Sequence, residues 1–92
     1  MSRILVAEDD AVLNSGLCCN LELDGWVAVS AHSVAEALEK LRNEAFDLAI
    51  LDVNLPDGSG FELCEKIRAA RDTPVIFLSL IHISEPTRPE RI

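Results

Sequence analysis

Four short apolar segments, separated by single helical patterns, constrain the fold of this 92-residue chain more than any other feature. The segments lie at residues 3–7, 26–31, 46–52 and 73–79, and each has the length and composition of a strand buried on both faces. Because one helical pattern fills each interval, the strands should run parallel, with right-handed crossovers and helices on both faces of the sheet. The sequence therefore predicts one α/β domain with a doubly wound parallel sheet of about four strands and three helices.

The helical segments carry a helical period together with start and stop signals. Leu13, Leu17 and Leu21 recur every four residues, and Gly25 follows them as a predicted C-terminal cap residue. The starts of the next two helices are marked by capping boxes, in which a serine precedes a glutamate by three residues. These boxes are Ser33 with Glu36 and Ser59 with Glu62.

Acidic side chains follow two of the predicted strands. Glu8, Asp9 and Asp10 come directly after the first strand, and Asp52 ends the third, shortly before a Pro-Asp-Gly turn at residues 56–58. The C-terminal ends of parallel strands share one edge of a sheet, so these acids converge if the two strands are neighbours. Two like charges ~4 Å apart repel by roughly 1 kcal/mol in water and about 4 kcal/mol at an effective dielectric of 20. The cluster therefore calls for a raised pKa or a bound cation.

A hard divalent cation would relieve this repulsion. Mg²⁺ prefers oxygen ligands; Glu8, Asp9 and Asp52 offer carboxylates, and the backbone carbonyl of Asn54 could add another ligand. The alternative is that these acids form a solvated turn, or stabilise the N-terminus of the following helix, where negative charge is favoured. Asp10 suits that alternative, because it stands where the first helix needs an N-cap.

Charge and cysteine content limit the partners. A net charge of −8 and a pI of about 4.5 argue against direct nucleic-acid binding by this segment, because phosphate affinity comes from Lys and Arg. Cys18, Cys19 and Cys64 have no metal-ligand spacing, which indicates small buried hydrophobes in a reducing compartment. No segment approaches the ~18 apolar residues of a membrane span, and the first residues do not form a signal peptide. We therefore expect a cytoplasmic protein without membrane contact.

Taken together, these features resemble the receiver domain of two-component response regulators. The segments that carry the resemblance are ILVAEDD, DLAILDVNLPDGSGFELCEKIR and TPVIFLS, all within residues 3–79. The resemblance implies a flavodoxin-like sheet, with strand order 2-1-3-4-5 in the family. It also implies a phosphorelay in which a histidine kinase, or a phosphotransfer protein, passes a phosphoryl group to this domain.

The resemblance assigns a role to each candidate residue. Asp52 would be the phosphoacceptor and a Mg²⁺ ligand, and Asp9 would bind Mg²⁺ directly. Glu8 would act through the hydration shell of the metal, and the Asn54 carbonyl would complete the protein ligands. Ser79 would be the switch residue whose hydroxyl turns toward the phosphoryl group. Such a domain is not an enzyme with a separate substrate, although the family catalyses its own phosphorylation and dephosphorylation.

The end of the chain departs from the family. A lysine and an aromatic residue that the family carries on a fifth strand have no counterpart, and residues 78–88, LSLIHISEPTR, resemble the translation of a transposase adapter used in sequencing libraries. We therefore expect a partial receiver domain at residues 1–79 and a foreign or disordered tail at residues 80–92. The native sequence after about residue 77, and any output domain, would be lost. On this interpretation the parent gene encodes a phospho-accepting receiver, whereas the 92-residue chain does not signal.

Two other functions remain open at this point. A degenerate receiver could act only as a protein-binding module, although the intact acidic residues argue against it. A haloacid-dehalogenase-type phosphatase also uses a strand-end aspartate with Mg²⁺. Its D-x-D-x-[TV] motif is not matched by residues 52–56, DVNLP.

Overall fold

The computed structural model describes residues 2–78, and the order of its elements follows the predicted alternation. The strands within these residues are β1 Arg3–Ala7, β2 Val27–Ala31, β3 Leu48–Leu51, β4 Asn54–Leu55, β5 Gly58–Ser59 and β6 Val75–Phe77. The helices are α1 Ala11–Leu23, α2 Val34–Asn43 and α3 Gly60–Ala70.

A four-stranded parallel sheet forms the centre of the domain. Its strand order is β2-β1-β3-β6, and every pairing in it is parallel. Ala7 at the end of β1 lies opposite Ala31 of β2 on one side and Leu51 of β3 on the other. This arrangement confirms the predicted doubly wound parallel sheet, and it makes the strands that end in acids direct neighbours.

The central strand β1 is buried on both of its faces because helices cover both sides of the sheet. Leu5 and Ala7 pack into one cluster with residues of α2 and α3, and Ile4 and Val6 pack into a second cluster with residues of α1. None of these four side chains is more than 2% exposed. A strand with two buried faces has one stable register, since a shift by one residue exchanges the faces of all its side chains. The positions of the residues that follow the strand are fixed by the same packing.

The helix ends agree with most of the predicted caps. Asp10 is the N-cap of α1 and accepts hydrogen bonds from two backbone N–H groups of the first turn. Gly25, just past the helix, has a φ of +93°, a left-handed conformation that glycine adopts most easily. The Ser33 hydroxyl accepts from the Glu36 N–H at 3.1 Å, as a capping box requires. The Glu36 carboxylate accepts from the N–H of His32 at 2.8 Å, one residue earlier than the box predicts.

The segment after β3 holds structure that the sequence did not indicate. Where only a turn is expected, β4 and β5 form a short antiparallel hairpin, with Asn54 opposite Ser59 and Leu55 opposite Gly58. At the start of α3, the Ser59 hydroxyl accepts from the N–H of Phe61 at 3.0 Å. This local bond replaces the predicted bond to the N–H of Glu62.

The cysteines are free, but they are not all buried. Cys64 is buried between α3 and the sheet, Cys18 is half-buried and Cys19 is exposed. The expectation of three buried thiols is therefore wrong for Cys19, whose position on α1 faces away from the sheet. All three thiols are free.

Some expectations concern residues outside the described part of the chain. Ser79 and residues 80–92 fall there, so the boundary between domain and tail, and the switch role of Ser79, stay predictions. Across residues 2–78, no helix is long and apolar enough to cross a membrane.

Two glycines offer a matched test of the α1 assignment. Gly16 lies in the helix interior, and open space surrounds the position that an added methyl group would take, so Gly16→Ala should stabilise the fold by roughly 0.5–1 kcal/mol through helix propensity. Gly25→Ala should destabilise it by about 1 kcal/mol, because alanine is strained at positive φ. Urea unfolding followed by circular dichroism measures both. If both substitutions changed the free energy of unfolding in the same direction, the placement of the helix end would be contradicted.

Candidate functional site

The acidic residues lie where strand pairing continues one step past β1 and β3. The N–H of Glu8 donates to the carbonyl of Ala31 at 3.0 Å, and the N–H of Asp52 donates to the carbonyl of Ala7 at 2.8 Å. The first residue after each strand is therefore still held in the ladder. As a result, Glu8 and Asp52 sit side by side at the C-terminal edge of the sheet.

Glu8 is a buried carboxylate, with only 3% of its surface exposed. Its Oε2 accepts a hydrogen bond from the N–H of Asp10 at 2.8 Å, which favours the charged form. Burial outweighs this bond and raises the pKa of Glu8, and the charge of Asp52, a side-chain hydrogen bond with Asp52 and the charge of Asp9 raise it further. The two residues predicted to converge are thus neighbours at the sheet edge, and the pKa of Glu8 is raised chiefly because its carboxylate is buried.

The other candidate residues are more accessible. Asp52 is half-buried, while Asp9 and Asn54 are exposed. The N–H of Asn54 lies 3.4 Å from Oδ1 of Asp52, so the chain turns back over this carboxylate directly after β3. Within the described residues 2–78, no three His, Cys, Asp or Glu side chains are placed to hold a metal by themselves. A cation at this edge would therefore need backbone and water oxygens as well, which is the coordination that Mg²⁺ usually takes in proteins.

Gly60 fixes the backbone beneath Asp52. The N–H of Gly60 donates to the carbonyl of Val53 at 2.8 Å, and a Cβ atom on Gly60 would overlap the carbonyl group of Asp52. Only glycine fits this close approach. The start of α3 is thereby attached to the end of β3.

Asn14 of α1, which no sequence motif singled out, ties the strand ends together. Asn14 is 1% exposed, and its Nδ2 lies within hydrogen-bond distance of three carbonyl oxygens, those of Val6 at 3.4 Å, Glu8 at 2.9 Å and Ala31 at 3.0 Å. The amide thus joins the ends of β1 and β2 just below the acids. A signal was present in the sequence, because Asn14 is a polar residue within the apolar stripe of α1.

Asp57 at the turn between β4 and β5 also has a role that the sequence analysis missed. Its carboxylate accepts hydrogen bonds from the N–H groups of Val34 at 2.7 Å and Ala35 at 2.9 Å, at the start of α2. No local pattern could have indicated these bonds, since their partners lie more than twenty positions apart in the chain.

The fold and the site together define a class of small α/β domain with an acidic pocket at the C-terminal edge of a doubly wound parallel sheet. The sequence matches the family described as the response regulator receiver domain over residues 4–92. The chain belongs to the response regulator receiver domain family. This assignment confirms the family that the sequence motifs indicated, and it does not favour the haloacid-dehalogenase alternative.

Individual relatives agree with the assignment. A transcriptional regulatory protein of Haemophilus influenzae, the CpxR homolog, is 39% identical over 79 residues, which are 86% of this chain and 34% of that protein. The chain thus spans about a third of the length of the curated relatives it matches. The response regulator TrrA of Thermotoga maritima is a similar solved structure, with a TM-score of 0.80 and 35% identity over 84% of this chain and 68% of that one.

The TrrA structures carry ligands and partners that bear on the site. One of them is a complex of TrrA with Mg²⁺ and a beryllium fluoride species. Another holds TrrA together with the histidine kinase ThkA; it matches with a TM-score of 0.79 and 35% identity, over 84% of this chain and 67% of that one.

The raised pKa of Glu8 predicts a pH-dependent stability. A carboxyl whose pKa is higher in the folded state than in the unfolded state destabilises the fold once it is charged. That cost is absent below the ordinary value of about 4.3, grows as the pH rises toward the folded-state pKa, and is fully present above it. In buffer without divalent cations, Glu8→Gln should therefore raise the unfolding midpoint at pH 7, and the gain should vanish below about pH 4.

Thermal unfolding across a pH series measures this difference, and Glu65→Gln serves as the control because Glu65 is an exposed glutamate on α3. The control should change stability by less than about 0.5 kcal/mol at any pH. A loss of stability in Glu8→Gln at pH 7 would show that the fold stabilises the charged carboxylate, and would contradict the raised pKa of Glu8.

Proposed function

We propose that this domain accepts a phosphoryl group on Asp52 from a histidine kinase or a phosphotransfer protein, with Mg²⁺ as cofactor. The observation that carries the proposal is the position of the buried Glu8 carboxylate beside Asp52 at the sheet edge, where no positively charged side chain within residues 2–78 forms an ion pair with either of them. The family assignment and the Mg²⁺ complex of the similar TrrA domain support it.

The donor set suits a small, hard cation. In the proposed arrangement Asp9 and Asp52 would bind Mg²⁺ directly, the Asn54 carbonyl would provide a third protein ligand, and Glu8 would act through the hydration shell of the metal. When bound, the cation would neutralise the acidic cluster and the incoming phosphoryl oxygens. The cost of burying Glu8 beside Asp52 would then be offset by ligand binding rather than by protonation.

Phosphoryl transfer needs little more than positioning and charge neutralisation. One Asp52 carboxylate oxygen forms a bond to phosphorus while the bond between phosphorus and the donor breaks, and the leaving group takes up the proton that it needs. Because Asp52 is half-buried, it remains open to a donor from solvent. The product would carry about −1.5 to −2 charges on a residue attached through Gly60 to α3. Such a charge change is the input that a signalling switch reads.

The partners and compartment follow from this proposal. A histidine kinase partner is supported by the ThkA–TrrA complex of the similar domain, and free cysteines agree with a reducing cytoplasm. The curated relatives are about three times as long as the matched segment, so an output domain would belong to the parent protein. The proposal makes the domain a phosphoacceptor rather than an enzyme with its own substrate, and Ser79 stays a predicted switch residue.

The test of this function is acetyl phosphate labelling of the 92-residue chain. In the presence of Mg²⁺, intact-mass spectrometry should detect one added phosphoryl group, which Asp52→Asn should abolish and EDTA should prevent. Asp72→Asn is the matched control, because Asp72 is an exposed aspartate at the opposite edge of the sheet, before β6. Circular dichroism confirms that each variant is folded. Labelling that persists in folded Asp52→Asn, or that proceeds equally well in EDTA, would rule out the proposed role of Asp52.

A further inference from the structure

We propose that Asp57 is a positioning residue, which caps α2 from the tip of the β4–β5 hairpin and thereby holds the Asn54 carbonyl at the cation site. The part of this inference that concerns Asn54 rests on the proposed function. The two hydrogen bonds that join Asp57 to α2, which form the Asp57 clamp, do not depend on the proposed function and can be measured without any metal.

The clamp consists of two hydrogen bonds between distant segments. One carboxylate oxygen of Asp57 accepts from the N–H of Val34 at 2.7 Å, and the other accepts from the N–H of Ala35 at 2.9 Å. These N–H groups belong to the first turn of a helix, where no partner exists within the helix itself. Negative charge is also favoured there by the helix dipole. In agreement with these bonds, the pKa of Asp57 is lowered, by the Ala35 N–H most and by the Val34 N–H next.

Two caps of different reach share the first turn of α2. The hydroxyl of Ser33, the residue directly before the helix, accepts only from the N–H of Glu36. The N–H groups of Val34 and Ala35 donate to Asp57 instead. Loss of either cap weakens the same helix turn. Only the loss of Asp57 also frees the segment that follows Asp52.

The hairpin connects the clamp to the site. Asn54 pairs with Ser59 and Leu55 pairs with Gly58, so the strand that carries the Asn54 carbonyl is bonded to the strand next to Asp57. Leu55 is 8% exposed and belongs to the same core cluster as Val34. Gly58 approaches α2 so closely that a Cβ on it would lie 3.1 Å from Cγ2 of Val34. The hairpin therefore rests on α2 through packing as well as through the two hydrogen bonds, and its tip and base should move together.

The experiment compares Asp57→Ala, Asp57→Asn and Ser33→Ala in the full 92-residue chain. NMR titration with MgCl₂ gives the Mg²⁺ Kd, and hydrogen exchange without metal gives the protection of the Val34 and Ala35 amides.

Asp57→Ala should speed exchange at both amides and weaken Mg²⁺ binding by about three- to tenfold, less than the 10–100-fold typical of groups bonded directly to a metal ligand. Asp57→Asn keeps one acceptor oxygen toward α2, so its amide exchange rates and its Mg²⁺ Kd should lie between those of the wild type and those of Asp57→Ala. Ser33→Ala should speed exchange at Glu36 and leave the Kd unchanged.

The outcomes separate this inference from the function on which it rests. If wild type binds no Mg²⁺, the proposed function fails, and exchange at Val34 and Ala35 still decides whether the clamp exists. If wild type binds Mg²⁺ but Asp57→Ala binds equally well, Asp57 does not position the site. Equal weakening by Ser33→Ala and Asp57→Ala would show a general effect of helix stability, which also overturns the inference.

Discussion

The pairing of β1 with both of its neighbours is the constraint on which the site depends. Because both faces of this strand are buried, one register satisfies the core, with Ala7 opposite Ala31 and Leu51. The ladder continues through the N–H groups of Glu8 and Asp52. Two carboxylates far apart in the chain are thus brought together by hydrocarbon packing that has no direct interaction with them. The hydrophobic core supplies the free energy that keeps like charges adjacent.

Several local contacts then fix the positions of the strand ends around these acids. The Asn14 amide joins the carbonyls of β1 and β2, and the N–H of Asp10 donates to the Glu8 carboxylate. On the other side, Gly60 allows α3 to begin against the carbonyl of Asp52. These contacts involve backbone groups at the ends of strands and helices, so the packing and hydrogen bonds that complete the secondary structure also position the site.

Much of this arrangement could be predicted from sequence because it follows from local periodicity. The apolar run at residues 3–7 predicts a strand, and the leucine repeat of α1 predicts a helix. Once the strands are known to be parallel, the acids at their C-terminal ends are expected at the same edge of the sheet. The hairpin and the Asp57 clamp could not be predicted in this way. Two-residue strands have no period to detect, and the bond from Asp57 to Val34 depends on how the hairpin packs on α2. The hydrogen bond from the N–H of His32 to the Glu36 carboxylate is a smaller case of the same kind, since the capping-box pattern predicts the N–H of Ser33 as the donor.

The unequal burial of the acids fits the proposed chemistry. Glu8 is 3% exposed, Asp52 is half-buried and Asp9 is exposed, so the cost of removing charge from water falls mainly on the carboxylate that forms no bond to phosphorus in the proposed reaction. A phosphoacceptor must be reached by a donor protein, and it reacts as a carboxylate, so deep burial of Asp52 would work against both requirements. A buried neighbour has a different effect. By adding negative charge that solvent screens poorly, Glu8 strengthens the attraction for a cation beside Asp52 while leaving Asp52 itself accessible. The pairing of a buried acid with a reachable one is therefore a reason to expect cation binding and phosphoryl acceptance at the same sheet edge.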